Sequence, residues 1–500
     1  MGQLETIPAM EQAPVEPFAA SQSLRRRQWK TSAVVVDIAT LGSGTLLAAV
    51  INAGLVFVVP KLISVEDFGY WRMFALYAGY VGFLHFGFAD GALLRWAGRP
   101  LTDIQDEILP ALKYLFWQHT IVLGPLCIAS AFLVSGPSRF VAIALGIYAL
   151  IFNLVTVLQF ALQGAKAFRP VAISTVIAPA IFLCTVMLWH LEWVSGYREI
   201  TALYVCGWLI ALLFLLYWVE PGSGSRIVPG AITLGKGCIQ AGWAIVAANT
   251  AVMMIVFADR LAVSWAASIH DFAQYSMAAS AMAVPITVIQ ACSKVFFSHL
   301  AGMMPSDRQR MYGISSRMLL VAWAILLPYY FALDLFIHHF LPKYVPSLAY
   351  ARILLLAIPF LAAIQILQMS YVYLNGMQKK FLVQTVVVLA TTLGTVSLVA
   401  FGTRSMQMVA GIQVGILGSW WVFNEWTLRP LTGRAFAHSS MWLFVYGVTA
   451  LIYWTATGLK VGAVIALSGY GGLMVTLLLL RRDTWLMLKP RRSYQRDQMV

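Results

Sequence analysis

The sequence predicts an all-α, polytopic membrane protein of about fourteen transmembrane helices. Three observations lead there. Sixty per cent of the 500 residues are apolar and only 11% are charged, which no ordinary soluble domain shows. Apolar stretches long enough to cross a bilayer as helices recur through the chain. They are continuous rather than alternating, which argues against a closed transmembrane β-barrel. The third observation is an internal repeat. Ser64 to Gly98 returns, faded, as Ser268 to Gly302, with Asp67 on Asp271, Phe68 on Phe272, Met73 on Met277 and Gly98 on Gly302. Repeats of this kind build many transporters.

Residues 1–32 are polar, hold Pro8, Pro14 and Pro17, and end in Arg25, Arg26, Arg27 and Lys30. They read as a disordered cytoplasmic tail closing in a topology signal. The expected spans are 41–63, 70–97, 111–134, 140–163, 169–191, 200–219, 239–265, 272–299, 317–341, 348–375, 381–401, 406–427, 439–457 and 461–480. The second is expected as one long helix from Tyr70, entered through a short acidic loop at Glu66 and Asp67. Internal Gly79, Gly82, Pro179, Pro285 and Pro359 fit kinked helices.

With the N-terminus inside, 24 of the 34 lysines and arginines fall in cytoplasmic segments, 8 in outer ones and 2 within spans. A missed or invented span would invert this bias downstream of it. The same distribution accounts for the net charge of +14 without nucleic acid. Both termini, including the basic tail 481–500, are expected in the cytoplasm, and the loops at Glu66–Asp67, Trp193–Arg198 and His270–Asp271 outside.

The Gly/Ser/Pro-rich segment 220–237 divides the chain. It reads as a linker between a six-helix lobe over 33–219 and a second over 238–428, followed by two further helices over 429–480. A second trace of duplication is Leu162-Gln163-Gly164, followed by Lys166 and Phe168, which pairs with Leu374-Asn375-Gly376, followed by Lys379, Lys380 and Phe381, at an offset of 212 or 213. Six spans separate the repeats, so both enter the membrane from the same side, as parallel repeats do.

The corner VEDFGYW, the LHFGFADG run after it, the repeat and the fourteen spans resemble the Wzx-type oligosaccharide flippases, over residues 33 to 480. These form the polysaccharide transporter branch of the multidrug/oligosaccharidyl-lipid/polysaccharide flippase superfamily. The resemblance implies two helical bundles around a central cavity in a bacterial inner membrane. It implies a polyprenyl-pyrophosphate-linked oligosaccharide as substrate, moved from the cytoplasmic to the periplasmic leaflet for O-antigen or exopolysaccharide synthesis. Implied partners are membrane lipids, a coupling proton or sodium ion, and polysaccharide polymerase and assembly proteins. Two alternatives stand beside it: a cation-coupled multidrug antiporter of the MATE kind, and a polytopic glycosyltransferase or polymerase. The last should carry a large hydrophilic catalytic loop, and this chain has none.

A pyrophosphate headgroup needs cationic hydrogen-bond donors in a watered cavity. Arg260 is the first candidate, with Asn249 eleven residues earlier on the same stripe of a straight helix. Arg260 either meets substrate or snorkels at the interface. Arg72, Lys61 and Asn52 are further candidates, the first two equally readable as interfacial anchors and Asn52 as a packing amide. The aromatics Trp71, Phe74, Tyr77, Tyr80, Phe83, Phe86 and Phe88 fill the second span, for packing or for stacking on sugar.

His85, Asp90 and Asp259 are the candidates for ion coupling. Asp90 falls on Lys294 under the 204-residue offset, which suggests a cross-lobe gate. The alternative keeps Asp90 within its own lobe, on Arg95 or Arg99. Neither a metal site nor a cofactor is expected. No Walker or HExxH motif is present, and Cys127, Cys184, Cys206, Cys238 and Cys292 lack ligand or redox spacing.

Overall fold

The computed structural model describes residues 31–187, 196–219, 231–432 and 436–458. Every regular element among them is helical. The first half holds α1 (Thr31–Leu62), α2 (Val65–Ala78), α3 (Phe88–Trp96), α4 (Leu101–Leu133), α5 (Pro137–Gly164), α6 (Phe168–Met187) and α7 (Tyr197–Val219). The second half begins with α8 (Ala231–Val256), α9 (Ala258–Ala266), α10 (Ile269–Ala281), α11 (Ala283–Ala301), α12 (Pro305–Leu326) and α13 (Tyr329–Phe340). It continues with α14 (Ser347–Leu354), α15 (Ile358–Ala362), α16 (Met369–Leu374), α17 (Gln378–Thr403), α18 (Met406–Thr432) and α19 (Phe436–Gly458).

Nine helical runs among the described residues are long and apolar enough to cross a membrane. They do not establish fourteen crossings, and the expected span 461–480 lies outside the described residues, as do both tails and residues 188–195. Several helices begin before their expected spans, among them α1 at Thr31 and α12 at Pro305. The segment read as a linker is helical from Ala231. α4 begins at Leu101 rather than near 111, because its first turns are amphipathic: Ile104 and Ile108 are buried among Asp103, Asp106 and Glu107. Glu107 takes hydrogen bonds from Arg95 (2.9 Å), Trp96 (3.0 Å) and Arg99 (2.9 Å). Both arginines considered as partners of Asp90 are thereby engaged elsewhere.

The acidic corner is a helix start, not a loop. Ser64 caps α2: its Oγ accepts from Asp67 N at 3.0 Å and donates to the Asp67 carboxylate at 2.7 Å. Ser268 caps α10 identically, at 3.1 and 2.7 Å to Asp271. Each side chain thus satisfies one of the unpaired donors of a first helical turn.

The other end of the repeat corrects the pairing read from sequence. α5 closes with Ala167 N on Leu162 O and Lys166 at φ +60°; α16 closes with Met377 N on Val372 O and Gly376 at φ +66°. Both are Schellman turns with a left-handed residue. The structural offset is therefore 210. Matching glycine to glycine slipped the frame, since the first copy places lysine where the second places glycine.

Second-repeat and first-repeat helices pack directly on each other. α2 lies against α10, and α3 against α8. At the end carrying the two serine caps, Phe68 meets Tyr344 edge-on at 5.3 Å and Phe57 meets Phe336 at 5.2 Å. There Lys343 Nζ donates to Ile63 O, and Gln274 to Lys343 O at 2.9 Å. Tyr197 N reaches Asp67 at 3.4 Å, so the Gly196–Tyr197 turn sits at this end too. At the opposite end Gly87 and Gly91 of the first repeat face Cys238 and Gly242 of α8 backbone to backbone. A Cβ on Gly91 would lie 1.9 Å from Cys238 O. Small residues four apart permit this approach.

Candidate functional site

The second span is not one helix. α2 stops at Ala78, a 3-10 turn covers Val81–His85, and Phe86 (φ +49°) and Gly87 (φ +85°) are left-handed before α3 begins. A break at membrane depth leaves backbone carbonyls that lipid cannot satisfy. Here protein satisfies them. Asn153 Nδ2 of α5 donates to Val81 O (2.9 Å), and Gln118 of α4 to Leu84 O (3.1 Å). Asn153 Nδ2 also lies 2.8 Å from His119 Nε2, whose Nδ1 is 3.0 Å from Leu115 O. That pairing places the His119 proton on Nδ1. Gly87 N donates to His85 Nδ1 at 3.0 Å, which leaves His85 Nε2 toward Asp90 at 3.8 Å. Asp90 thus has its near partner within the first half.

Beside the break, α1, α2, α5, α6 and α7 enclose a cavity of about 350 Å³. Its polar wall is Asn52 and Arg72. The rest is largely aromatic: Trp71, Tyr148, Phe152, Phe182, Tyr204 and Trp208. Tyr204 holds the rings together, with centroids 5.4 Å from Trp71, 5.6 Å from Phe182 and 5.7 Å from Tyr148. Tyr148 and Phe152, like Tyr204 and Trp208, are spaced four apart and so share a helix face. That four-residue spacing is the signal the sequence carries for this wall.

Arg72 makes no hydrogen bond or ion pair among the described residues, and its Nε is buried without an acceptor. Among the described residues no aspartate or glutamate lines the cavity. Arg260 of the second half is close enough to Arg72 for the two charges to repel. Arg260 rests on the Phe257 ring at 4.6 Å and donates Nη2 to Ala279 O at 3.1 Å, with its Nε also unpartnered. The Tyr80 hydroxyl, near Arg260 and Asp259, is a third buried group without a partner. Arg72 lines the cavity and Arg260 does not, but each guanidinium, one from each half, keeps its Nε donor unused. Such a set suits an anion.

The remaining candidates fall elsewhere. Asn249 does not share a stripe with Arg260, because the helix breaks at Phe257 between α8 and α9. Asn249 is exposed on α8 and does not line the cavity. Lys61 is exposed at the capped end, 5.8 Å from the Phe340 ring. Asp259 is buried and accepts from Tyr275 Oη at 2.7 Å, across α9 and α10. Lys294 belongs to α11, which packs on the α14–α16 rod; its side chain lies outside the described residues. α3, which carries Asp90, packs instead on α8 and α5.

No protein-family model matches the sequence, and no curated protein does. Solved structures do match. A lipid II flippase, MurJ, in an inward closed conformation is 11% identical at a TM-score of 0.60, over 88% of this chain and 99% of that one. A MOP superfamily transporter from Pyrococcus furiosus, described as having a binding pocket of reverse polarity that suggests a different function, is 12% identical. It aligns at a TM-score of 0.53 over 79% and 96%. The eukaryotic MATE transporter AtDTX14 is 12% identical at a TM-score of 0.52, over 84% and 99%. At such identities the likeness is one of fold: the chain has the fold shared by these transporters of the MOP superfamily.

Proposed function

We propose that the chain is a multi-pass membrane transporter that flips a polyprenyl-pyrophosphate-linked oligosaccharide from the cytoplasmic to the outer leaflet. The observation that carries this reading is Arg72: an unpaired guanidinium in the wall of an aromatic cavity that holds no carboxylate. A pyrophosphate supplies the acceptors Arg72 lacks, and sugar rings stack on aromatic faces. The polyprenyl tail stays in lipid, so the cavity needs to admit only the headgroup. Arg260 adds a second cation from the other half. In this reading the two halves act as lobes, and the end carrying the serine caps faces outward.

A multidrug antiporter has the same fold, and polarity separates the two readings. An organic cation requires a negative or neutral wall, and Arg72 opposes it electrostatically in a site of low dielectric. The test is deletion of the gene in its own cell, followed by lipid analysis of right-side-out and inverted membrane vesicles. Lipid-linked oligosaccharide should accumulate with its headgroup on the cytoplasmic face, and wild-type protein should clear it. Normal lipid-linked pools, together with a gain in sensitivity to cationic drugs, would overturn the flippase reading.

A further inference from the structure

Glu425 of α18 is buried, 6% exposed, within an apolar helix, and no cation pairs with it among the described residues. An isolated carboxylate in such a place marks function by default, because burial of an uncompensated charge is costly. Three neutral groups from three other segments are directed at it. Tyr312 Oη of α12 donates to Oε1. Gln368 Nε2 lies 3.3 Å from the same oxygen, and Ser439 Oγ of α19 lies 3.5 Å from Oε2. Gln368 is fully buried and its Oε1 has no partner. It is the last residue of a π-helical turn, Ala363–Gln368, that interrupts the rod between α15 and α16. Such turns are costly insertions and tend to mark working sites.

The remaining groups around Glu425 leave it without a counter-charge. From α12, Arg308 turns away to Leu300 O (3.1 Å) and Ala301 O (3.2 Å). From α16, Tyr371 packs edge-on against Tyr312 at 4.8 Å and donates to Arg308 O. From α17, Gln384 is spent on Thr427. The charges of α9, Asp259 and Arg260, are engaged with α10, and Arg352 of α14 is bound to Trp454 O. Arg429, one turn on in α18 itself, is exposed.

We infer that Glu425, with Tyr312, Gln368 and Ser439, is a proton-binding site in the second half of the chain. The class of ligand follows from the atoms presented. A sodium ion needs several oxygen ligands converging on it; beside this carboxylate stand two hydroxyls and an amide N–H, few oxygens for a cation but three donors for a carboxylate. The ionised form is thereby held by three donors. The protonated form costs little rearrangement: the proton joins Oε2, and Ser439 turns its hydroxyl from donor to acceptor. Oε1 keeps Tyr312 and Gln368. Assigning this site to the coupling of transport to a proton gradient rests on the transporter reading above; proton binding itself does not.

The test is infrared difference spectroscopy of the full-length protein in lipid nanodiscs, titrated with acid in choline chloride and again in sodium chloride. A protonated-carboxyl band should grow as pH falls, be absent in Glu425→Gln, and be the same in both salts. Tyr312→Phe removes a donor to the ionised form and should raise the midpoint by about one pH unit, a tenfold gain in proton affinity. No band lost in Glu425→Gln, or a band suppressed by sodium at fixed pH, would overturn the assignment. Should Glu425→Gln fail to fold, an unmoved midpoint in Tyr312→Phe would do the same. No transport substrate is present, so this outcome is independent of whether the chain is a flippase.

Discussion

Ser64 and Ser268 start their helices with the same pair of hydrogen bonds, yet the helices then diverge. The first runs 14 residues and comes apart over a 3-10 turn and two left-handed residues. The second runs 13 residues and continues after a hitch at Met282. Under the 204-residue offset that relates the two serines, Gly79, Gly82 and Gly87 correspond to Ala283, Ile286 and Ala291. Gly87 sits at φ +85°, where a side chain is strained, whereas its counterpart continues a helix. The starts keep what every helix needs, a cap. The bodies differ where the first half builds its cavity and its close contact with α8.

The contact with α8 is where the comparison breaks most easily. Gly91→Val installs the residue the second repeat carries at Val295. Its Cβ would collide with the backbone at Cys238. A loss of about 3 kcal/mol or more in stability is expected, read as a fall in thermal midpoint in nanodiscs. An unchanged midpoint would mean that α3 and α8 do not touch. Asn153→Leu should cost about 1–3 kcal/mol, because Val81 O and His119 then lose their partner away from water. Thermal unfolding measures this too, and a neutral result would show that the break is satisfied by other means. The smallest effects are at the caps. Ser64→Ala and Ser268→Ala should each cost about 1 kcal/mol, and by equal amounts. A clear inequality would end the claim that the two corners are equivalent.

Much of the helical architecture was legible in the sequence because bilayer-length apolar runs and the repeated corner are local signals. Arg72, at the expected outer start of a span, and Asn52, an amide within one, stood out in the sequence as polar residues, and both line the cavity. What escaped depended on backbone geometry that composition does not carry. The stripe joining Asn249 to Arg260 assumed a straight helix, and Phe257 breaks it. The pairing of Asp90 with Lys294 assumed that equivalent positions meet. Instead the break in the first repeat turns Asp90 toward His85, and α3 onto α8. Asn153 and His119 could not be found without knowing that the second span comes apart. Glu425 is an acid in an apolar run, SWWVFNEW, but with Arg429 four residues on the sequence gives no sign that it is buried without a cation.

The claim that Arg72 receives an anionic headgroup is tested most directly by binding. Purified full-length protein in nanodiscs is titrated with a polyprenyl pyrophosphate, with the matching polyprenyl alcohol, and with a lipophilic organic cation. Preference for the pyrophosphate is expected, with a loss of about tenfold or more in Arg72→Ala and partial retention in Arg72→Lys. Equal affinity of wild type and Arg72→Ala for the pyrophosphate, or a preference for the cation, would contradict it.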